Sequence, residues 1–450
     1  MLNHDELLYW DKQHYWHAFT QMSEYEPLVI QRAEGVWLED IRGRRLLDGV
    51  ASMWCNIHGH AHPEINQAIV EQLNRVAHVS SLGMSNATTI ELTKCLVERT
   101  PKSLECVFYS SDGSSAIEVA LKLAFQYWRQ CASPEPQRNL FMAVGGAYHG
   151  DTIGSVSVGG VSRFHSMFDP LLFDVVRGPC PDSFRIPIDM VAKDLVTGYL
   201  ASYEDLFQKY GDRMVAVIVE PLVQGAAGMV MHPPGFLKGL SDLASRFGVL
   251  LIADEIAVGM GRTGKLWACQ WEGIEPDFLC AAKGLSGGYL PLAATITTRR
   301  IWDAFLGAYS DSRSFFHGHT YGGNPLSCAA ALATFSIMDR TDRIAHVGRQ
   351  GKILEDLLQP LKLHPHVGDV RIRGLVAAVE LVRDRSSMEG YAWAERKGWQ
   401  VCEAALKRDV WLRPLGNVII IMPPLCIEEP ELEQIVEAIQ YGLNQVNWND

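Results

Sequence analysis

Leu250-Leu-Ile-Ala-Asp-Glu-Ile256 and Phe278-Leu-Cys-Ala-Ala-Lys283 are two apolar runs of strand length, and each carries a charged side chain near its end. A strand that is buried on both faces of a sheet has such a continuous apolar sequence. Similar runs cover residues 106–110, 214–220 and 292–298. Residues 116–128, which lie between two of these runs, predict a helix that is apolar on nearly every side. Strands that alternate with helices predict an α/β fold with a mostly parallel sheet.

The chain divides around this central block, which we predict to be a large domain over residues 51–340. Residues 341–450 predict a smaller α+β domain, with a helix over 343–362 and strands over 370–382 and 411–422 around the turn Leu415-Gly416-Asn417. A final helix is predicted from the apolar residues that recur at helical spacing, namely Leu432, Ile435, Val436, Ile439 and Leu443. We expect residues 1–50 to pack with the smaller domain.

Composition excludes several classes of protein. The 450 residues include 40 Lys plus Arg and 52 Asp plus Glu, for a net charge of −12, which disfavours binding to nucleic acid or anionic lipid. The first residues resemble neither a signal nor a transit peptide, and no apolar run is long enough to cross a membrane. Ten cysteines without a C-x-x-C pair predict reduced thiols. We therefore expect a cytoplasmic protein without nucleic-acid or membrane partners.

Lys283 and Asp254 are the first candidate site residues. A lysine at the end of an apolar strand, before the glycines of Gly284-Leu-Ser-Gly-Gly288, would be desolvated, and its amine could then form a Schiff base. The alternative is a lysine that extends to the surface. Asp254 and Ile256 share one side of a strand, so the carboxylate could meet the nitrogen of a flat heteroaromatic ring while Ile256 contacts its face.

Two loops add complementary chemistry. Ser110-Ser-Asp-Gly-Ser-Ser115 joins a strand to a helix N-terminus, where free N–H groups bind anions and Gly113 permits close approach of a phosphate. The alternative for this loop is a serine that caps the helix. In Gly145-Gly-Ala-Tyr-His-Gly150, Tyr148 could lie flat against a ring. An amine, a partner for a ring nitrogen, a phosphate site and a stacking ring together indicate pyridoxal 5'-phosphate.

Other motifs suggest different chemistry. Gly259-Met-Gly-Arg-Thr-Gly-Lys265 fits the P-loop spacing, but Leu266 replaces the hydroxyl residue that binds magnesium. His58-Gly-His60-Ala-His62, with His317-Gly-His319, leaves a metal-dependent hydrolase as an alternative of another class. We rank both below the cofactor hypothesis and predict no metal. Arg413, before the turn at Gly416, could hold a carboxylate through its forked guanidinium, whereas Arg262 is expected to have a supporting role.

The chain resembles the fold-type I pyridoxal-phosphate enzymes and, among them, the class III (omega) aminotransferases. The resemblance rests on Ser111-Asp-Gly-Ser-Ser-Ala116, Tyr148-His-Gly-Asp151, Glu220-Pro-Leu-Val-Gln-Gly225, Asp254-Glu-Ile256 with Gly261-Arg-Thr-Gly264, and Lys283-Gly284. It implies a seven-stranded sheet in the large domain. A narrower similarity, to the branch that aminates 8-amino-7-oxononanoate in biotin biosynthesis, rests on Trp16-His-Ala-Phe-Thr-Gln-Met22, Trp54, Ile57-His-Gly59, Phe316-His-Gly-His-Thr-Tyr321, Gly323-Asn-Pro325 and Arg413-Pro-Leu-Gly416.

The resemblance also implies roles for individual residues. Lys283 would hold the cofactor covalently and move protons, and Asp254 would pair with its ring nitrogen. The other cofactor contacts would be Gly113, Ser114, Tyr148, Ile256 and, from the neighbouring subunit of a homodimer, Thr320. Arg413 would bind the substrate carboxylate. The remaining substrate contacts would be Trp54, Phe19, Tyr148 and Gly318.

The amino donor stays open at this point. The members that use S-adenosylmethionine carry a tyrosine where this chain has Phe19, two adjacent tryptophans where it has Met53-Trp54, and a tyrosine where it has Ile420. A branch that uses lysine resembles Phe19-Thr-Gln-Met22 and His317-Gly-His-Thr-Tyr321 more closely. S-adenosylmethionine is the family default and lysine the second donor. Other omega-aminotransferases, for ornithine, γ-aminobutyrate or a diamine, remain an alternative function.

Overall fold

Strands and helices alternate through the computed structural model, which describes residues 2–186 and 195–448. The strands are β1 (Ile30–Glu34), β2 (Trp37–Asp40), β3 (Arg45–Asp48), β4 (Leu104–Ser110), β5 (Leu140–Val144), β6 (Val175–Gly178), β7 (Met214–Val219), β8 (Val223–Gln224), β9 (Val230–Met231), β10 (Leu250–Asp254), β11 (Phe278–Ala281), β12 (Ala293–Thr298), β13 (Val367–Arg373), β14 (Val376–Leu381), β15 (Val410–Trp411), β16 (Pro414–Leu415) and β17 (Val418–Ile421).

The helices are distributed along the same ranges. They are α1 (His4–His14), α2 (Ala51–Trp54), α3 (Pro63–Arg75), α4 (Ala87–Val97), α5 (Gly113–Gln130), α6 (Ile153–Val158), α7 (Ser162–His165), α8 (Leu195–Tyr210), α9 (Phe236–Arg246), α10 (Arg299–Asp303), α11 (Pro325–Arg340), α12 (Arg343–Leu358), α13 (Lys397–Leu406) and α14 (Glu429–Gln445). Short 3-10 turns fill some of the connections, including Lys283–Ser286.

The central sheet has seven strands in the order β4-β12-β11-β10-β7-β5-β6. All run parallel except β12, which pairs antiparallel with both β4 and β11. This arrangement confirms the predicted mostly parallel sheet of a fold-type I enzyme. Asp254 pairs with Cys280 across β10 and β11, so the ends of these two strands lie side by side.

The core lies on both faces of this sheet. Each of the five predicted strands exists, and the predicted apolar helix is the middle of α5, whose buried residues run from Ser115 to Trp128. Four of them are shorter than predicted, β7 and β12 by one residue and β10 and β11 by two. β10 ends at Asp254 because the carboxylate of Asp254 accepts a hydrogen bond from the N–H of Ile256 (3.0 Å), which turns the chain away from the sheet.

β11 ends at Ala281, and Lys283 begins a 3-10 turn with a positive φ of 47°. The strand periodicity that was expected to place Asp254 and Ile256 on one side therefore does not apply, since Ile256 lies beyond the strand. The tight turn after Asp254 places both residues against the same space.

The C-terminal part forms a second, antiparallel sheet in the order β13-β14-β17-β16. The predicted turn at Gly416 is confirmed, with φ 61° between β16 and β17. The predicted single strand over 370–382 is wrong, because Gly374, at φ 61°, reverses the chain between β13 and β14. The helix predicted over 343–362 ends as α12 at Leu358, since Pro360 has no N–H group to continue it.

The final helix is α14, and its predicted apolar face is buried, where it packs against α12 and α13. A third sheet, β1-β2-β3-β15, pairs Leu47 and Asp48 with Val410 and Trp411. β3 therefore pairs with a strand of the C-terminal region, as expected if residues 1–50 pack with the smaller domain. The domain boundaries stay a prediction.

Two whole-chain predictions can be compared with the structure. All ten cysteines have free thiols, in agreement with the prediction of reduced cysteines. Within residues 2–186 and 195–448, no helix is both long enough and apolar enough to span a bilayer.

Candidate active site

A cavity of about 800 Å³ opens at the carboxyl ends of β10 and β11. Most of the predicted site residues line it, namely Phe19, Trp54, Gly113, Ser114, Tyr148, Asp254, Ile256, Lys283 and Arg413. Ligands bind at this edge of parallel sheets because strand ends and helix N-termini meet there. The structure thus brings these predicted residues to one cavity, while their roles stay predictions.

Lys283 presents its amine to this cavity. Burial lowers the pKa of Lys283, although the carboxylates of Asp254 and Glu220 oppose that effect. The Nζ atom lies 4.9 Å from the centre of the Trp54 ring. A lysine with a lowered pKa has a larger fraction of neutral, nucleophilic amine at neutral pH.

Asp254 lies at the bottom of the cavity and is 3% exposed. Its Oδ2 atom is 2.7 Å from Nδ1 of His149, whose other ring nitrogen has no partner in the described part of the chain. This contact fixes the carboxylate on one side, while the N–H of Ile256 fixes it on the other. No role is predicted for His149 from the sequence, in which its position next to Tyr148 is the only signal for it.

Glu220 is a second buried carboxyl at the cavity, and in the sequence it is marked only as the first residue of the motif over residues 220–225. It accepts hydrogen bonds from the backbone N–H groups of Tyr148 (3.0 Å) and Gly225 (2.9 Å). Burial raises the pKa of Glu220 to about 7. The residue thus connects two loops of the site and binds a proton more tightly than an exposed glutamate does.

The N-terminus of α5 lies at the cavity, which Gly113 and Ser114 line. Asp112, not a serine, caps the helix, because its carboxylate accepts hydrogen bonds from the N–H (2.9 Å) and the hydroxyl (2.8 Å) of Ser115. The serine cap proposed as the alternative is therefore wrong. The N–H groups of Gly113 and Ser114 have no acceptor within the described ranges and remain able to bind an anion.

Glycines bring the surrounding chain close to this helix end. A Cβ atom on Gly113 would lie 2.9 Å from Cγ2 of Ile256, and one on Gly150 would lie 2.0 Å from Oγ of Ser114. Neither position accepts a larger side chain without movement of its neighbours. The absence of side chains at these two positions lets the N-terminus of α5 lie close to Ile256 and to the loop that contains Gly150.

Tyr148 contributes a ring to the wall of the cavity. Its hydroxyl donates a hydrogen bond to Asp151 (2.7 Å), and its ring lies nearly parallel to that of His165, at 18° and 5.8 Å between centres. Burial and the neighbouring Asp151 raise the pKa of Tyr148. The ring is therefore held in place and uncharged.

Arg413 lies at the other end of the cavity, with its guanidinium 5.8 Å from the ring of Trp399. No carboxylate pairs with it among the described residues, and burial lowers its pKa. It can therefore bind the carboxylate of a ligand. Arg262 does not line the cavity, and its buried guanidinium donates to the carbonyl oxygens of Asn56 (2.7 Å) and Pro423, in agreement with a supporting role.

The predicted residues Gly318 and Thr320 do not line the cavity. Both are exposed on the surface of the protomer. This position is what a contribution to the site of a neighbouring subunit requires. Their roles stay predictions.

The motifs that suggested other chemistry have structural uses. Lys265 of the P-loop-like segment donates to the carbonyl oxygen of Gln270 (3.0 Å). His58 contacts the carbonyl oxygen of Thr334 (2.9 Å), and His60 contacts Asp48 (3.0 Å), so these imidazoles have separate partners. In the part of the chain that the structure describes, no three His, Cys, Asp or Glu side chains are grouped so that they could bind a metal ion. The geometry therefore does not favour a metal-dependent hydrolase.

Comparison with known proteins assigns the family. The family model for class III aminotransferases matches residues 19–443. The chain belongs to the class III aminotransferases. An adenosylmethionine-8-amino-7-oxononanoate aminotransferase of Nitratidesulfovibrio vulgaris is 50% identical over 433 residues, which are 96% of this chain and 80% of the relative.

Solved structures agree with this assignment. The enzyme of the same name from Methanocaldococcus jannaschii superposes with a TM-score of 0.93 at 40% identity. The matched region covers 99% of this aminotransferase and 100% of the Methanocaldococcus chain. An amine transaminase from an uncultivated Pseudomonas species, solved with pyridoxal phosphate bound, has a TM-score of 0.91 at 34% identity and covers 96% and 99% of the two chains. The predicted family and fold are thus confirmed.

Proposed function

We propose that this aminotransferase uses pyridoxal phosphate to transfer an amino group to 8-amino-7-oxononanoate in biotin biosynthesis. The observation that carries the proposal is that the amine of Lys283 and the carboxylate of Asp254 face one cavity. Relatives at 40–50% identity that bear the name adenosylmethionine-8-amino-7-oxononanoate aminotransferase support this substrate.

The cavity fits pyridoxal phosphate. The free N–H groups of Gly113 and Ser114 would hold its phosphate, and Asp254 would pair with its ring nitrogen. Tyr148 and Ile256 would contact the ring, and Lys283 would bind its aldehyde carbon. When bound, the cofactor supplies an electron sink for the negative charge that forms when a proton leaves the carbon bearing the amine.

Lys283 and Asp254 would carry out the proton chemistry. Because burial lowers the pKa of Lys283, Nζ would be neutral more often than an exposed lysine amine, and it would accept the proton from the amine-bearing carbon of the donor and return it to the acceptor carbon. Asp254 would keep a proton on the ring nitrogen of the bound cofactor, through a carboxylate that His149 and the N–H of Ile256 hold in place.

Arg413 and Trp54 would select the acceptor. The unpaired guanidinium of Arg413 can form a two-pronged contact with the carboxylate of 8-amino-7-oxononanoate. Trp54 lies beside Lys283 and forms an apolar wall, which excludes water from the reacting atoms.

For the amino donor, we propose S-adenosylmethionine, which the names of the relatives contain. At Phe19, Met53 and Ile420, which line the cavity, the wall lacks the two tyrosine hydroxyls and the tryptophan ring of the members that use S-adenosylmethionine, and this difference keeps a second donor open. Lysine remains the alternative donor, which the experiment below separates.

We also propose a homodimer in the cytoplasm. The exposed segment around Thr320 includes Phe316 (76% exposed) and Tyr321 (62% exposed), and large apolar groups at a surface are typical of subunit contacts. In the dimer, Thr320 and Gly318 would reach the partner's cavity. Ten free thiols support a reducing compartment.

The test is to offer S-adenosylmethionine and lysine separately to the purified holoenzyme and to follow the visible absorbance of the bound cofactor. The proposal predicts bleaching by S-adenosylmethionine and recovery on addition of 8-amino-7-oxononanoate. Bleaching only by lysine changes the donor, whereas recovery only with another keto acid contradicts the acceptor. The Lys283→Ala variant is the control and should show no turnover.

A further inference from the structure

Residues 51–54, which form α2, have an unfavourable backbone. Ala51, Ser52 and Trp54 have positive φ angles of 49°, 61° and 63°. Residues other than glycine rarely adopt positive φ angles, and a bulky residue such as tryptophan with a positive φ is an outlier. Strained residues of this kind persist only where the surrounding structure fixes them, and they cluster at functional sites.

The carboxylate of Asp48 is the group that fixes this segment. It is fully buried, with 0% of the side chain exposed, and lies at the end of β3. It accepts hydrogen bonds from the N–H of Ser52 (2.9 and 2.8 Å to its two oxygens), from the Ser52 hydroxyl (3.1 Å) and from the N–H of Val50 (3.3 Å). His60 contacts the same carboxylate through Nε2 at 3.0 Å.

The strained segment ends at the wall of the active site. Ser52, Met53 and Trp54 all line the cavity. The Trp54 ring lies 4.9 Å from Nζ of Lys283, and on another side it lies so close to Gly225 that a Cβ atom there would be 3.3 Å from Cζ3 of the ring. The position of this ring therefore depends on the backbone of residues 51–54.

We propose that Asp48 is a positioning residue that acts through Trp54 and thereby sets the affinity of the active site for its substrates. Asp48 itself does not line the cavity. Its hydrogen bonds hold the chain in the conformation that turns the indole toward Lys283. The inference rests on the proposed function, because it assigns to Trp54 the wall of the substrate site.

The main variant is Asp48→Asn, which keeps the size of the side chain but replaces one acceptor oxygen with a donor group. A matched control is Asp40→Asn. Asp40 is 8% exposed and accepts hydrogen bonds from the backbone N–H groups of Arg42 (2.8 Å) and Arg44 (2.9 Å), but it holds a turn that does not line the cavity. Both carboxylates accept backbone hydrogen bonds from the residues that follow a strand of the same sheet. Only the segment that Asp48 holds lines the cavity.

The experiment measures kcat, KM for the acceptor and the visible circular dichroism of the bound cofactor in the holoenzyme. Asp48→Asn should raise KM by about tenfold with a smaller change in kcat, and it should alter the dichroism, because the wall beside Lys283 moves. Asp40→Asn should leave all three within about twofold of wild type. In the Trp54→Ala background, Asp48→Asn should have no further effect on KM, since the residue through which it acts is gone.

Three results would overturn the inference: an unchanged KM in Asp48→Asn, the same rise in both backgrounds, or an equal rise in Asp40→Asn. If Asp48→Asn does not fold, His60→Gln decides, because it removes a single contact to the carboxylate and should raise KM in the same direction. Failure of the wild-type enzyme to use 8-amino-7-oxononanoate contradicts the proposed function instead. The dichroism and the double-variant comparison can then be repeated with the keto acid that the enzyme accepts.

Discussion

The buried carboxyl of Glu220 makes the stability of this protein depend on pH. Burial raises its pKa from 4.5 to about 7, so the folded protein keeps this proton at pH values where the unfolded chain has lost it. The folded state is therefore favoured most at low pH, and the contribution is lost as the pH rises from about 4.5 through about 7. Glutamine at this position does not titrate and has no such dependence.

The size of the effect follows from this difference in pKa. At about 1.4 kcal/mol per pKa unit, a rise from 4.5 to about 7 corresponds to about 3 kcal/mol of unfolding free energy. An unfolding entropy of about 2.1 cal/mol/K per residue gives about 0.9 kcal/mol/K for 450 residues, so the midpoint of thermal unfolding changes by about 3–4 °C.

The variant for this test is Glu220→Gln, and the quantity is the difference in thermal midpoint between variant and wild type at pH 5 and at pH 8.5. From pH 5 to pH 8.5, we expect the thermal midpoint of the variant to rise by about 3–4 °C relative to that of wild type. The variant loses one of the two hydrogen bonds to Tyr148 and Gly225. This loss lowers the thermal midpoint of the variant by the same amount at both pH values, so it does not affect how the midpoint difference changes with pH.

Two other glutamates provide controls. Glu255 accepts hydrogen bonds from the N–H groups of Ala268 (2.8 Å) and Cys269 (2.7 Å), and burial raises its pKa to about 7, so Glu255→Gln should show a similar change. Glu272 also accepts two backbone hydrogen bonds but is only partly buried, so Glu272→Gln measures the effect of the same substitution outside a deeply buried site. A difference for Glu220→Gln that is constant with pH would refute the reasoning.

Three further predictions concern the active site. Arg413→Ala should raise KM for the keto acid by about tenfold or more, because a charge-assisted hydrogen bond contributes about 1.5–3 kcal/mol. Steady-state kinetics with Arg413→Lys as a control would check this rise, and an unchanged KM would contradict the assignment. Gly113→Ala should weaken the binding of pyridoxal phosphate, since the new Cβ would lie 2.9 Å from Cγ2 of Ile256, and Ile256→Ala should restore part of the affinity in equilibrium dialysis. If the double variant binds no better, the contact is not the cause. Tyr148→Phe should keep most of the activity, because it removes only the hydrogen bond to Asp151. Tyr148→Ala should lose the ring contact and with it the activity. An equal loss of activity in the two variants would argue for a role of the hydroxyl.

Much of the fold could be predicted because burial leaves a local record in the sequence. The apolar runs that become β4, β7, β10, β11 and β12 are continuous since both faces of the sheet are covered. Asp254 and Lys283 could be placed together because parallel strands end at one edge. Turns were predicted less well, as the hairpin at Gly374 shows, since a short turn changes little in the apolar pattern around it.

The contacts between loops could not be predicted in this way. His149 and Asp254 are 105 positions apart, and Tyr148 and Glu220 are 72 apart, so no local pattern relates them. The support of residues 51–54 by Asp48 is close in sequence, but it depends on positive φ angles that the residue types disfavour. Such a conformation exists only when the rest of the chain holds it.

The amino-acid sequence alone therefore indicates which segments become strands and which reactive groups stand at their ends, because hydrophobic periodicity and strand direction act over a few residues. The folded chain as a whole sets which carboxyl contacts His149, which glutamates have a raised pKa, and how Trp54 is turned toward Lys283. These properties depend on desolvation and on hydrogen bonds between distant loops, and both arise only when the sheet and its connections have come together.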